Sequence, residues 1–162
     1  MTVVNLTIND KKVTFDIEDR TNLADFLRDT CNLTATHLGC EHGACGACGV
    51  LVDGTLSRSC LKFAVQCDAR HVTTLEGLDQ DAVMNALREG FHHEHGLQCG
   101  FCTPGMLMAA RDLLLRHPNP DEQDIREALA GNLCRCTGYA GIVRAVARAS
   151  KKLSDSTIKS GG

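Results

Sequence analysis

Cys40, Cys45 and Cys48 lie in one glycine-rich stretch with Cys60 behind them, and Cys99, Cys102, Cys134 and Cys136 form a second set. Any fold for this chain has to gather each set. The first spacing, C-x4-C-x2-C followed by a separate fourth cysteine, is the arrangement by which four thiolates hold a 2Fe-2S cluster of the plant-ferredoxin type. Such a cluster is a net anion whose sulfides accept hydrogen bonds, so the surrounding loop must offer backbone N–H groups at close range. Gly39 to Gly49 suits that need: glycines and alanines let the main chain curl, and glycine reaches positive φ without strain. Tetrahedral zinc draws its ligands as two separated cysteine pairs, which three ligands in one loop match less well. The second set, Cys99-x2-Cys102 and Cys134-x-Cys136, serves a cluster or zinc equally by spacing. Cys102 and Cys136 each precede an expected helix, and the N-terminal N–H groups and dipoles of both helices would favour an anionic cluster.

Ten cysteines in 162 residues would suggest a disulfide framework in a secreted protein. The segment Met1–Lys11 lacks a basic region followed by an apolar one, because Asn5 and Thr7 interrupt its apolar residues at period two. The thiols are therefore expected to be metal ligands in a reducing cytoplasm. No apolar run approaches the roughly 20 residues of a membrane span. The net charge of −3 comes from interspersed acids and bases, without the basic stripe of a nucleic-acid binder.

Periodicity divides the chain. Val4, Leu6 and Ile8, a turn at Asn9-Asp10-Lys11, then Val13, Phe15 and Ile17 predict a hairpin. Thr21 or Asn22 caps a short helix carrying Leu23, Phe26 and Leu27. Val50–Val52 and Leu56–Cys60 predict a second hairpin around Asp53-Gly54, and a strand from Val72 to Leu75 ends at Gly77. Beyond Gly77 the period changes from two to 3.6. Val83, Ala86, Leu87 and Phe91 mark one helix; Met106, Leu107, Ala110, Leu113 and Leu114 mark another, ending at His117-Pro118. Asn119 is expected to cap a third, with Pro120 in its first position and Gly131 ending it. The fourth runs from Thr137 to about Leu153. The domains expected are residues 1–77, residues 78–153 and a mobile tail, 154–162. The Cys-Thr pairs at Cys102 and Cys136 hint at a repeat of two helix pairs.

Three stretches together resemble the small iron-sulfur subunit of the molybdenum hydroxylases: Gly39 to Cys48, Gln98-Cys-Gly-Phe-Cys-Thr-Pro-Gly-Met106 and Gly131-Asn-Leu-Cys-Arg-Cys-Thr-Gly-Tyr139. This group includes xanthine dehydrogenases, aldehyde oxidoreductases and aerobic carbon monoxide dehydrogenases. The resemblance implies an α+β chain, a β-grasp plant-ferredoxin-like domain followed by an all-α four-helix domain, each with one 2Fe-2S cluster. It implies a large molybdopterin-binding subunit and a medium FAD-binding subunit as partners, in a dimer of heterotrimers. Electrons would pass from the molybdenum site through both clusters to FAD or an external acceptor, with Gln98 and the region of Cys136 touching the pterin. No catalytic acid or base is expected here, and no G-x-G-x-x-G fingerprint suggests a dinucleotide site. Gly49 stands where the family pattern has Thr. The rival reading is a stand-alone two-cluster ferredoxin.

The remaining candidates have plainer readings. Cys31 and Cys67 are ordinary thiols outside both sets; His92, His93 and His95 complement a helix C-terminus. His37 and His42 flank a cysteine quartet that is already complete. Arg135 tunes charge or meets a partner chain, and Tyr139 is a core aromatic with a bonded hydroxyl.

Overall fold

The computed structural model describes residues 1–160, with side chains described as far as Ser156. Strands β1 (Thr2–Ile8) and β2 (Lys11–Ile17) pair antiparallel around a two-residue turn in which Asn9 and Asp10 both take positive φ, so that Ile8 faces Lys11 across the strands. Lys11, expected in the turn, belongs to the strand. Strands β3 (Gly49–Val52) and β4 (Thr55–Arg58) form the second hairpin around Asp53-Gly54, again with both turn residues at positive φ, the geometry that matches strand twist. Strand β5 (His71–Thr73) inserts between the hairpins, parallel to β1 and antiparallel to β3, which gives the sheet order β2-β1-β5-β3-β4.

One face of this sheet is closed by the short helix. Asn22 caps α1 (Leu23–Asp25), accepting from the Asp25 N–H at 2.8 Å, and the chain then widens into a π-helical turn, Phe26–Thr30. Leu23, Phe26 and Leu27 are fully buried there against Val4, Leu6, Ile8, Val50, Val52 and Val72. Arg28 then donates to the Thr34 and Thr36 carbonyls at 3.0 and 2.8 Å, fixing the strand of chain that leads to the first cysteine loop.

Four helices follow: α2 (Ala82–His93), α3 (Thr103–Arg116), α4 (Glu122–Leu129) and α5 (Ala140–Ser160). Helix α3 is central and buried on most sides, because α2 and α4 pack against it and β3 and β4 lie on another flank. Alternation along β3 splits the two cores: Val50 and Val52 enter the first, while Leu51 points into the helical core with Met84, Leu87, Met106 and Ile142. Helices α2 and α5 approach closely at Gly90, where a Cβ would come within 2.5 Å of the Ala145 carbonyl oxygen.

Three helix boundaries differ from expectation. Helix α4 starts at Glu122, not at Pro120, because Asp121 and Asp124 cap each other's amides at 2.8 and 3.0 Å and outcompete Asn119. Helix α5 starts at Ala140, since Thr137 to Tyr139 form a turn with Gly138 and Tyr139 at positive φ. It then continues past Leu153 to Ser160, so residues 154–160 of the expected tail are helical; residues 161 and 162 lie outside the described residues.

The Asp81 carboxylate caps α2 by accepting from the Met84 N–H at 2.7 Å and pairs with Arg111 of α3 at 2.7 Å. Burial opposes its ionisation, but the Arg111 guanidinium and the Met84 amide hold its pKa below the ordinary carboxylate range. Asp81→Ala should lower stability by about 2 kcal/mol in urea denaturation, from the lost cap and the unpaired arginine. Because the folded pKa is depressed, this contribution is complete above the unfolded value of about 3.9 and fades as pH falls through the folded pKa. Wild type and variant should therefore converge in acid.

Candidate metal centres

The first cysteine loop turns on three positive-φ residues, Glu41, Gly43 and Gly46, which aim successive amides inward. The Cys45 N–H donates to Cys40 Sγ at 3.3 Å, and the His42 and Ala44 amides face the same sulfur. These amides, Cys45 first and His42 next, lower the Cys40 pKa to about 6. Cys60 sits in the single helical turn Ser59–Leu61 just after β4, not in the strand as expected. Burial pushes its thiol up to about 11, and Cys48 beside it adds to the shift while the Gly43 amide opposes it. The buried Ser59 fixes this corner: its N–H and its hydroxyl both donate to the Cys48 carbonyl, at 3.2 and 2.7 Å. Ser59 is a residue that periodicity does not reveal; its one signal in the sequence is its place beside Cys60.

The second set closes across two loops. Cys99 and Cys136 meet at 3.4 Å between sulfurs, and Cys102 meets Cys134. Burial raises the Cys102 pKa to about 12, with Cys134 adding to it. The Phe101 amide lowers that of Cys99, with Cys136 assisting. Cys134 is partly buried, which disfavours its thiolate, but the Thr137 hydroxyl at 3.1 Å and nearby amides bring its pKa below the ordinary thiol value. Cys102 directly precedes α3, so its sulfur lies at that helix N-terminus. Cys136 is separated from α5 by the Thr137–Tyr139 turn, which corrects the expectation of a second helix end at this site. Tyr139 spans that turn: its hydroxyl accepts from the Cys134 N–H at 2.9 Å and donates to the Asn132 carbonyl at 3.3 Å.

The eight thiols thus stand in four pairs, Cys40 with Cys45, Cys48 with Cys60, Cys99 with Cys136 and Cys102 with Cys134. Two irons per site, each taking two thiolates, would use such pairs directly. The donor chemistry and the inward amides therefore fit a 2Fe-2S cluster better than zinc.

The two sites lie against each other. The Leu133 N–H donates to the Cys45 carbonyl at 2.8 Å, joining the chain beside Cys134 to a residue of the first set. His37 Nδ1 donates to the Phe101 carbonyl at 2.7 Å, and the two rings stack with centroids 4.9 Å apart. His37 thus tethers the loops, and His42 bonds the Cys40 carbonyl. Gln98 is exposed beside Cys99. Cys31 and Cys67 stay outside both sets, each with its thiol pKa raised by burial. A Cβ on Gly49 would meet only ordinary contacts at 3.6–3.8 Å, so the buried space there admits a Cβ.

In chain stripped of metal and kept reduced, a brief iodoacetamide pulse at about pH 7 should, among the eight thiols of the two sets, alkylate Cys40 first and Cys60 and Cys102 last. Its rate should climb through about pH 6, the value its amide bonds impose. Peptide mapping against time reads the order, and Cys102 reacting ahead of Cys40 would contradict it.

Residues 6–72 match the family described as 2Fe-2S iron-sulfur cluster binding domain, and residues 74–147 match the [2Fe-2S] binding domain. The caffeine dehydrogenase subunit gamma of a Pseudomonas species is 49% identical over 89% of this chain and 88% of its own length. The nicotine 6-hydroxylase small subunit of Paenarthrobacter nicotinovorans is also 49% identical, over 88% and 86%. A chain of the quinoline 2-oxidoreductase of Pseudomonas putida superposes with a TM-score of 0.88 at 45% identity, covering 95% of this chain and 96% of that one. The aldehyde oxidoreductase of Desulfovibrio desulfuricans matches 96% of this chain with a TM-score of 0.87 at 34% identity, but only 17% of its own longer chain is involved. With paired thiols, two matched cluster-binding regions and whole-length relatives of this kind, the chain belongs to the small iron-sulfur subunits of the molybdenum hydroxylases.

Proposed function

We propose that Cys40, Cys45, Cys48 and Cys60 hold one 2Fe-2S cluster and Cys99, Cys102, Cys134 and Cys136 the other, within an electron-transfer subunit of a molybdopterin-dependent hydroxylase or dehydrogenase. Each cluster, when bound, takes up and gives back one electron. The observation that carries this reading is the arrangement of eight thiols as four pairs in two loops joined by the Leu133–Cys45 hydrogen bond.

The proposed division is a β-grasp plant-ferredoxin-like unit, residues 1–77, and a four-helix unit from residue 78. The exposed Cys99 and Cys136, with Gln98 alongside, form the side that would receive electrons from a molybdopterin-binding large subunit. The exposed apolar residues Leu97, Phe101 and Leu133 neighbour these cysteines in the chain, as a docking face requires. Leu61 and Phe63 are similarly exposed beside Cys60, where an FAD-binding medium subunit would dock. The assembly proposed is a dimer of heterotrimers in the cytoplasm; among the described residues no helix is long and apolar enough to cross a membrane. Relatives with closely similar small subunits carry names as different as caffeine dehydrogenase and nicotine 6-hydroxylase. That variety suits a chain that conducts electrons while another subunit chooses the substrate.

Cys136→Ser in the assembled enzyme should leave substrate affinity unchanged and lower multiple turnover with an external acceptor by at least about a hundredfold. Stopped-flow spectra would show one reductive event per molybdenum site and no sustained flux; turnover at the wild-type rate would refute the assignment. Native mass of the purified protein separates this reading from a free ferredoxin, since a lone monomer of this chain would support the latter.

A further inference from the structure

The pairing of thiols does not explain a buried amide lying between the two sets. Asn132 is 3% exposed and precedes Cys134 by two residues. Its Nδ2 donates at 3.2 Å to the carbonyl of Gly46, which stands between Cys45 and Cys48. Its Oδ1 accepts from Arg58 Nη2 at 3.4 Å, and the same nitrogen donates to the Gly131 carbonyl at 2.7 Å. Arg58 ends β4, two residues before Cys60. The Asn132 carbonyl accepts from Tyr139, whose hydroxyl oxygen also accepts from the Cys134 amide. One residue therefore bonds the loop of Cys45 and Cys48, the strand leading to Cys60 and the turn leading to Cys134. The fit is tight: a Cβ at Gly46 would lie 2.6 Å from Asn132 Nδ2 and 2.5 Å from the Gly131 oxygen.

We propose that Asn132, braced by Arg58, is a positioning residue that sets the separation and orientation of the two cysteine sets, and thereby the rate at which an electron crosses this chain. Its side chain bonds a backbone carbonyl and a guanidinium rather than a thiol, so its action falls on the relation between the sets. An amide is the group that can do this. It donates to the Gly46 carbonyl and accepts from Arg58 at once, whereas a hydrocarbon would leave that carbonyl only the Gly49 N–H at 3.3 Å and would remove the acceptor of Arg58. A carboxylate would keep Arg58 but turn an acceptor toward another acceptor.

The inference rests on the reading that both sets bind clusters, and the experiment separates the two. The assembled wild-type enzyme, Asn132→Asp, Asn132→Leu, Arg58→Met and Arg58→Lys are compared. Iron content and the individual paramagnetic signal of each reduced cluster test the reading: two 2Fe-2S centres per chain support it, and fewer in the wild type overturn it. The magnetic splitting between the two reduced clusters, and the rate of electron exchange between them after rapid reduction, test the inference. Both Asn132 variants should keep full iron and both signals, show altered splitting and exchange electrons about tenfold more slowly. Arg58→Met should shift both readouts in the same direction by less, and Arg58→Lys should restore them. Wild-type splitting and rate in Asn132→Asp would overturn the proposal, as would loss of iron from the second set alone. Should the Asn132 variants fail to assemble, unchanged splitting and rate in Arg58→Met overturn it.

Discussion

Hydrogen bonds onto main-chain carbonyls at the seam between the two cysteine loops hold both sets of thiols in place. The Leu133 amide on the Cys45 carbonyl, Asn132 on Gly46, and Arg58 on Gly131 all cross that seam. Such contact is open only where side chains are absent. Gly46 sits at φ +78, and a Cβ on Gly105 would stand 2.3 Å from the Gly46 oxygen. Small residues here carry a tertiary requirement, since the start of α3 has to lie flat against the first loop.

The environment of the sulfurs follows from the same arrangement. Folding the first loop around Cys40 turns several amides toward one sulfur and stabilises its thiolate, while Cys60 and Cys102, deeper in the protein, are disfavoured as anions. Each site therefore combines a thiol readily ionised with one that resists ionisation, as Cys99 and Cys102 repeat in the second set. Iron would draw off the protons of the resistant thiols, so metal binding and deprotonation are coupled in this chain. The sheet and helices hold this chemistry by sharing β3, whose alternating residues belong to separate cores.

Several elements follow from local chemistry. Asp53-Gly54 turns where a primed turn needs two positive-φ residues, and Asn22 caps α1 as its side chain allows. The helix stripes over Val83–Phe91 and Met106–Leu114 fall within α2 and α3. The misses are equally physical. Asn119-Pro120 reads as a helix start, but the reciprocal Asp121–Asp124 cap satisfies two amides and displaces it. Thr137 reads as the start of the last helix, yet the Tyr139 hydroxyl holds the preceding turn open by bonding Cys134 and Asn132. Ser59 and Asn132 are ordinary polar residues in the sequence, and only their partners, 11 and 86 positions away, give them a role.

By itself the sequence determined the two cysteine sets, the hairpins, the change from period two to 3.6 and the family whose motifs it carries. Those properties are local, fixed by spacing, turn chemistry and the repeat of apolar residues. Tertiary structure alone decided which thiol stands beside which, which amides face each sulfur, and how the two loops press together. Those depend on contacts between residues far apart in the chain, where burial and close approach, rather than propensity, choose the partner.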